Sequence, residues 1–224
     1  MIMNSTDLTN LRQIQRKMSN KLRLADDFKN LNLFCGCDVS YRNNRAFIAF
    51  MTLDQNFNIV EENAFISEAT FPYIATFFAF REGPLIINHF PKLQHKPDVL
   101  FIDGHGIAHP EKMGLASYVG VKLNFPTIGI AQKNLSTSLS NYPSTLNEKS
   151  IMYDEEQKMV GYAIKTRKES KPIYISPGNL VSIDSAATIV LRMLQQHKLP
   201  EPSRRAHLLS QQTMINHLHK SKLT

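Results

Sequence analysis

Long apolar runs, cysteines and repeats are what this sequence has least of, and each scarcity closes off a class of protein. No stretch approaches the roughly 20 consecutive apolar residues that span a bilayer. Met1 to Asp27 also lacks the apolar block of a secretory signal. A cytoplasmic location with no membrane partner is the expectation. Only two cysteines occur, Cys35 and Cys37. One residue apart in an apparent strand, they point to the same face and are poorly placed to bridge each other. A Cys-x-Cys without companion ligands is a poor zinc site, so both read as small core residues. No internal repeat is found.

What is present is a chain of 224 residues, 42% hydrophobic, long enough to bury a sizeable core and best read as a single domain over 1–224. Its formal charge of +7, from 26 Lys plus Arg against 19 Asp plus Glu, creates a field that draws in polyanions, nucleic acid being the commonest. Charge alone is equally compatible with a protein that is merely basic.

Leu8, Leu11, Ile14, Met18 and Leu22 recur at helical spacing, so residues 1–30 read as a helical segment packed on the main body. Apolar runs over Leu33–Tyr41 and Arg45–Leu53, with Arg42-Asn43-Asn44 as a turn, and a third near Asn63–Thr70 predict a three-strand antiparallel meander. A helix is expected over Thr76–Phe90, a buried parallel strand over Asp98–Ile102, a helix over Lys112–Leu123 and a strand over Pro126–Ile130. Met159–Lys165 and Pro172–Ser176 suggest a smaller strand pair. Ser182–Gln196 reads as a helix capped by Ser182 or Asp184, and Ser203–His219 as a last helix. Residues 132–150, rich in Ser, Asn and Thr, read as a flexible loop. This order is α/β: a mixed sheet, meander first and parallel strands after, flanked by helices.

Three acids stand out by position: Asp38 near the end of the first strand, Asp103 at the end of a buried one, and Glu82 between them. Chemistry in open α/β sheets sits outside the carboxyl ends of strands. Two carboxylates about 4 Å apart repel by ~4 kcal/mol at an effective dielectric of 20, so such a cluster needs a proton or a cation. Hard oxygen donors favour Mg²⁺, with Mn²⁺ able to substitute. A lone Asp after a strand is more often a solvated loop residue or cap, so spacing by itself leaves this open. The loop Asp103-Gly-His-Gly-Ile-Ala-His109-Pro110 adds bare backbone at Gly104 and Gly106 and two histidines, His105 and His109. These residues suit ligation, proton transfer or phosphate contact, or simply a tight surface turn.

The chain resembles the endonuclease V family from about Leu11 to His207. The resemblance is carried by Gly36-Cys-Asp-Val-Ser-Tyr41, Pro72-Tyr-Ile74 with Phe80-Arg-Glu-Gly-Pro84, Asp103 to Pro110, Gly114-Leu-Ala-Ser117, Pro126-Thr-Ile-Gly129, Lys171-Pro172, Ser176-Pro-Gly178 and Leu199 to His207. So many ordered matches are far more specific than any one. The resemblance implies an RNase H-like fold and a Mg²⁺-dependent endonuclease acting on deaminated bases such as hypoxanthine, in DNA or in inosine-containing RNA. It implies cleavage at the second phosphodiester bond 3′ to the lesion, by a monomer. Asp38 and Asp103 would be direct metal ligands, Glu82 would complete the cluster partly through water, and His207 would assist proton transfer or orient the attacking water. Pro72, Tyr73 and Ile74 would form a wedge entering the duplex, with Tyr73 filling the space of the displaced base. Gly104, Gly114 and Leu115 would supply a base pocket that rejects adenine by placing donor against donor. His109 and Lys133 would contact the strand.

Three positions depart from the family pattern. Ala75-Thr76 replaces a Pro-Gly continuation of the wedge, removing a ring that fixes φ. Gln132 stands where a lysine is usual, with Lys133 one step later, and Asn179 stands where a histidine follows Ser-Pro-Gly. Two other readings stay open. One is an RNase H-like nuclease for junctions or hybrids, which substrate comparison would reveal. The other is a non-catalytic inosine-binding module, which would bind without nicking.

Overall fold

A computed structural model describes residues 5–220, so the expected N-terminal helical segment is seen from Ser5 onward. Its helix α1 spans Ser5–Ser19. The anticipated apolar stripe is only partly used. Met18 is buried and Ile14 is exposed, while Gln15 turns inward and donates from Nε2 to the Thr76 carbonyl at 2.8 Å. Leu8 and Leu11 are half-buried beside it, so Gln15 takes the place of Ile14 on an otherwise apolar inward face.

The meander forms as β1 (Leu33–Arg42), β2 (Arg45–Asp54) and β3 (Ile59–Glu68), paired antiparallel. β3 starts earlier than the expected Asn63 because the Asp54 carboxylate accepts the N–H groups of Asn56 and Asn58. That closes a tight turn and lets pairing resume at Ile59. A 3₁₀ turn at Ala75–Phe77 leads into α2 (Phe78–His89), and β4 (Val99–Asp103) follows. α3 (Leu115–Leu123) begins three residues later than expected, since Lys112 has φ 52° and Gly114 is extended. After β5 (Thr127–Ala131) the chain forms β6 (Ser138–Leu139), β7 (Lys149–Tyr153), β8 (Met159–Ile164) and β9 (Ile173–Asn179). α4 (Ile183–Arg192) is capped by Ser182, whose hydroxyl accepts from the Ser185 N–H, and ends before the expected Gln196. Asp184, the alternative cap, instead accepts from the Tyr162 hydroxyl at 2.6 Å. α5 (Glu201–Lys220) closes the fold.

The nine strands of the described residues lie in one sheet ordered β3-β2-β1-β4-β5-β9-β8-β7-β6. β1, β4 and β5 are parallel to one another, and the remaining pairs are antiparallel. This is the expected mixed RNase H-like sheet. β8 and β9 pair as expected, and because β9 also docks on β5 the pair extends the main sheet. The segment 132–150, expected as a flexible loop, contains β6 and the first residues of β7, and Glu148 accepts from Ser144 and Thr145 N–H.

Alternation along the strands divides the core between two faces. Cys35, Cys37, Leu100 and Ile102 pack with residues of α2 and α3 on one side. Phe34, Val99, Phe101, Ile128 and Ile130 pack with residues of α4 and α5 on the other. Both cysteines are buried and free, as expected of core residues. Among the described residues no helix is long and apolar enough to cross a membrane.

Candidate active site

Parallel pairing puts Gly36 beside Phe101 and Cys37 beside Ile102. The next residues outward on these neighbouring strands are Asp38 and Asp103: Asp103 ends β4 as expected, whereas Asp38 lies midway along β1, which runs on to Arg42 paired with β2, and stands where the parallel pairing with β4 stops. Strand spacing of about 4.8 Å brings their backbones into close company. Glu82 reaches the same place from α2, and all three acids line one cavity of about 460 Å³. Asp38 and Glu82 are buried, and Asp103 is half-buried.

Their titration records the crowding. Glu82 is held well above the usual carboxylate range, first by burial and then by the charges of Asp38 and Asp103, with Tyr41 and Arg81 pulling the other way. Asp103 is pushed up to about 6, by burial and then by Asp38, while His207 and Lys198 oppose the rise. Among the described residues no three His, Cys, Asp or Glu side chains stand close enough to form a ready coordination shell. The acids share a cavity and not a point. A spaced, oxygen-only, mutually repelling set suits a small hard cation that keeps several of its waters.

α5 delivers His207 to the opposite side of Asp38. A Cβ on Gly36 would collide with the backbone of Pro202, so the absence of a side chain there lets the start of α5 lie directly on β1. Alternation then carries Asp38 and Ser40 to the same face as Gly36. His207 Nδ1 stands 3.4 Å from Asp38 Oδ2. Its pKa is raised, first by hydrogen bonding to Asp38, with burial opposing. Sequence reasoning missed Ser210, whose buried hydroxyl donates a hydrogen bond to Asp38. Ser40 Oγ stands 2.7 Å behind it. One helical turn from His207, Ser210 shares its face, and that i, i+3 relation was the available signal.

Tyr73 lines the cavity and is 71% exposed, its ring edge-on to Phe78. Pro72 and Ile74 flank it, but they do not line the cavity; Pro72 borders a neighbouring depression with Asn43, Asn44 and Arg81. The loop lacks Pro-Gly yet is clamped at both ends. Arg81 donates to the Phe71 carbonyl, while Gln15 and His109 Nε2 bond the Thr76 carbonyl.

His109 is thereby occupied. Nε2–H donates to Thr76 at 3.0 Å and Nδ1 accepts the Glu111 N–H at 3.2 Å, a neutral ring with both nitrogens used inside the protein. Burial lowers its pKa accordingly. His105 also lines the cavity, its Nδ1 buried without a partner, and burial holds it down to about 4.

The glycine loop lies flat on β9. The Gly106 N–H donates to Ser176 Oγ at 2.9 Å and the Ile107 N–H to the Pro177 carbonyl at 2.9 Å. A Cβ at Gly106 would meet the Pro177 carbonyl, and one at Gly114 would meet that of His105. The N–H groups of Gly104 and Gly114 donate to Ile130 and Gly106. These glycines shape the pocket wall, therefore, instead of offering donors. Leu115, first residue of α3, has an N–H with no partner within its helix.

Lys133 lines the cavity and is exposed, as is Gln132 beside it. Asn179 accepts from the Arg23 N–H and donates to the Gly120 carbonyl, tying the N-terminal segment to α3.

Comparison with known proteins is consistent with this geometry. The family model for Endonuclease V matches residues 16–208. Endonuclease V of Thermosipho melanesiensis is 39% identical over 201 residues, 89% of this chain and 88% of the relative. The crystal structure of the Bacillus subtilis protein superposes with a TM-score of 0.88 at 27% identity, covering 98% of this chain and 95% of that one. Endonuclease V of Ciona intestinalis, in complex with a 24mer DNA containing an inosine followed by a ribo-adenosine, shares the fold with a TM-score of 0.85 at 23% identity, over 95% of this chain and 99% of that one. With its family's model matched over most of its length, the chain belongs to the endonuclease V family and is on that ground an endonuclease.

Proposed function

We propose that this endonuclease hydrolyses a phosphodiester bond beside a deaminated base, with hypoxanthine the principal one, at the second bond 3′ to the lesion, and that the whole chain acts as one catalytic unit. The observation that carries the reading is the convergence of Asp38, Glu82 and Asp103 on a cavity whose rim bears the exposed Tyr73. The inosine-containing DNA held by the Ciona relative points to the same substrate class.

Asp38 and Asp103, with Glu82 partly through water, would hold Mg²⁺, with Mn²⁺ able to replace it. Such an ion supplies activation of water and neutralisation of the leaving oxygen's charge. The protein's own residues do the rest. His207, with Nδ1 against Asp38 and Nε2 accepting from the Gln211 amide, would assist proton transfer or orient the attacking water. Ser210 engages Asp38 Oδ2 and leaves Oδ1 for the ion. Tyr73, with Pro72 and Ile74, wedges beside the displaced base, which enters between the glycine loop and Leu115. There the Leu115 N–H is placed to meet the acceptor oxygen of hypoxanthine, and the amino group of adenine would meet a donor instead. Lys133 meets the strand's phosphates. His109 acts by holding the wedge loop.

Matched inosine-bearing DNA and RNA oligonucleotides, with product ends mapped to the nucleotide, test this reading. Asp38→Ala and Asp103→Ala are expected to abolish Mg²⁺-dependent cleavage while leaving a folded protein that still binds the inosine strand. Normal cutting by either variant would end the proposal.

A further inference from the structure

Lys198, just ahead of α5, belongs to a stretch to which the resemblance assigned no role, yet it reaches the catalytic side of the molecule. Its ammonium donates to the Gln132 carboxamide oxygen at 3.4 Å, and Gln132 lines the cavity of the three acids. Gln132 is the position where the family pattern has a lysine. A cation therefore stands beside that place, carried there by a different part of the chain.

Its backbone is fixed on both sides. The Thr166 hydroxyl donates to the Lys198 carbonyl at 2.6 Å. Just beyond, the Glu201 N–H donates to Met193 at 2.9 Å and the Arg204 N–H to Pro200 at 2.9 Å. The side chain thus starts from a set point, and less freedom is lost when it engages a ligand. Its electrostatic surroundings are unusual for a surface lysine. Burial lowers its pKa, Asp103 favours its charge, and the nearby Lys171 opposes it. Through Gln132 the Lys198 ammonium stands at the rim of the acidic cavity, where a strand entering the cavity would bring its phosphates.

We propose that Lys198 contacts a backbone phosphate of the nucleic-acid strand next to the acidic cluster, from its place beside Gln132. This rests on the reading of the protein as a nucleic-acid-cutting enzyme, but it concerns phosphate and not the damaged base. Lys133, one residue beyond Gln132 and exposed, is the competing candidate.

The test is equilibrium binding of fluorescent oligonucleotides, with inosine or adenosine at one position, across a range of monovalent salt without divalent cation. Wild type, Lys198→Gln, Lys198→Arg and Lys133→Gln are compared. Loss of one phosphate contact flattens the slope of log affinity against log salt by about 0.7 for a single strand and about 0.9 for a duplex. It also weakens all sequences by the same factor. Lys198→Gln is expected to show both effects, with Lys198→Arg retaining the wild-type slope. An unchanged slope in Lys198→Gln would overturn the proposal, as would the full loss appearing in Lys133→Gln alone. A slope lost equally in Lys198→Arg would overturn it too, since only the shape of the side chain would then matter. Should wild type bind inosine and adenosine strands alike, the base-specific reading fails while the slope still decides the role of Lys198.

Discussion

At the scale of single residues, the site is a set of groups that destabilise one another. Asp38, Glu82 and Asp103 are drawn together by the fold, and burial removes the water that would screen their charges. Substituting Asp103→Asn removes one negative charge from beside Asp38. At neutral pH without divalent cation, the variant is expected to melt higher than wild type, by about 2–4 °C for each kcal/mol relieved in a chain of this size. Millimolar Mg²⁺ should raise the wild-type midpoint by mass action and leave the variant nearly unmoved, while cleavage is lost. A calorimetric scan with and without Mg²⁺ checks this; a variant that melts lower without metal would show that Asp103 supports the fold. Ser210 and Lys198 belong to the same scale. Each acts through one polar atom, and neither stands in an apolar pattern that would have drawn notice.

At the scale of elements, two pieces of the chain are held so that others can work. The loop between Phe71 and Thr76 is clamped at the carbonyls of those two residues, leaving Tyr73 as the projecting group. Removing an exposed ring leaves the core intact, so Tyr73→Ala should fold normally. It should cut inosine in duplex DNA more weakly by about 1–3 kcal/mol of lost stacking. A smaller loss is expected on single strands, where no partner base has to be displaced. Equal losses on both substrates would show that the ring does not act as a wedge.

The second element is α5, anchored by Glu201. Its carboxylate is buried and accepts from Arg204 at 2.8 Å twice and from Arg205 at 3.0 Å. Those bonds, Arg204 first, lower its pKa below the ordinary 4.5, with burial opposing. A carboxyl depressed in the folded state binds fewer protons there than when unfolded. Its contribution is therefore complete above the ordinary value and disappears as pH falls through the folded one. Glu201→Gln should cost about 1.5–3 kcal/mol at neutral pH, and the difference from wild type should shrink on acidification below pH 4.5. Chemical denaturation at several pH values checks both. A difference that stayed constant or grew with acid would mean that the ionised carboxylate is not the anchor.

For the molecule as a whole, the parts legible in the sequence were those written as periodicity. β1 and β2 announced themselves as apolar runs around an Asn-Asn turn, and β4 as a buried run ending in an acid. These features alone brought Asp38 and Asp103 to neighbouring strands, Asp103 at the end of β4 and Asp38 midway along β1. Glu82 was legible by its motif, since nothing in helical spacing marks a carboxylate that will be buried. Three kinds of feature were not legible. β6 is two residues long, too short to carry an alternation. The junction of β9 with β5 depends on glycines and Pro177 fitting against the 104–106 loop, a matter of shape that composition does not express. Gln15 displaced Ile14 from the buried face of α1 because a single carbonyl at Thr76 offered it a partner. Lys198 stayed hidden because its significance lies in what stands at position 132.

The contact between Ser210 and Asp38 joins residues 172 positions apart. Because synthesis proceeds from the N-terminus, a nascent polypeptide carries all three acids long before the hydroxyl and imidazole of its final helix leave the ribosome. Products of premature termination that stop short of Glu201 would hold the three acids without Ser210 and His207, and a fragment of that length is expected to be inert in a nicking assay.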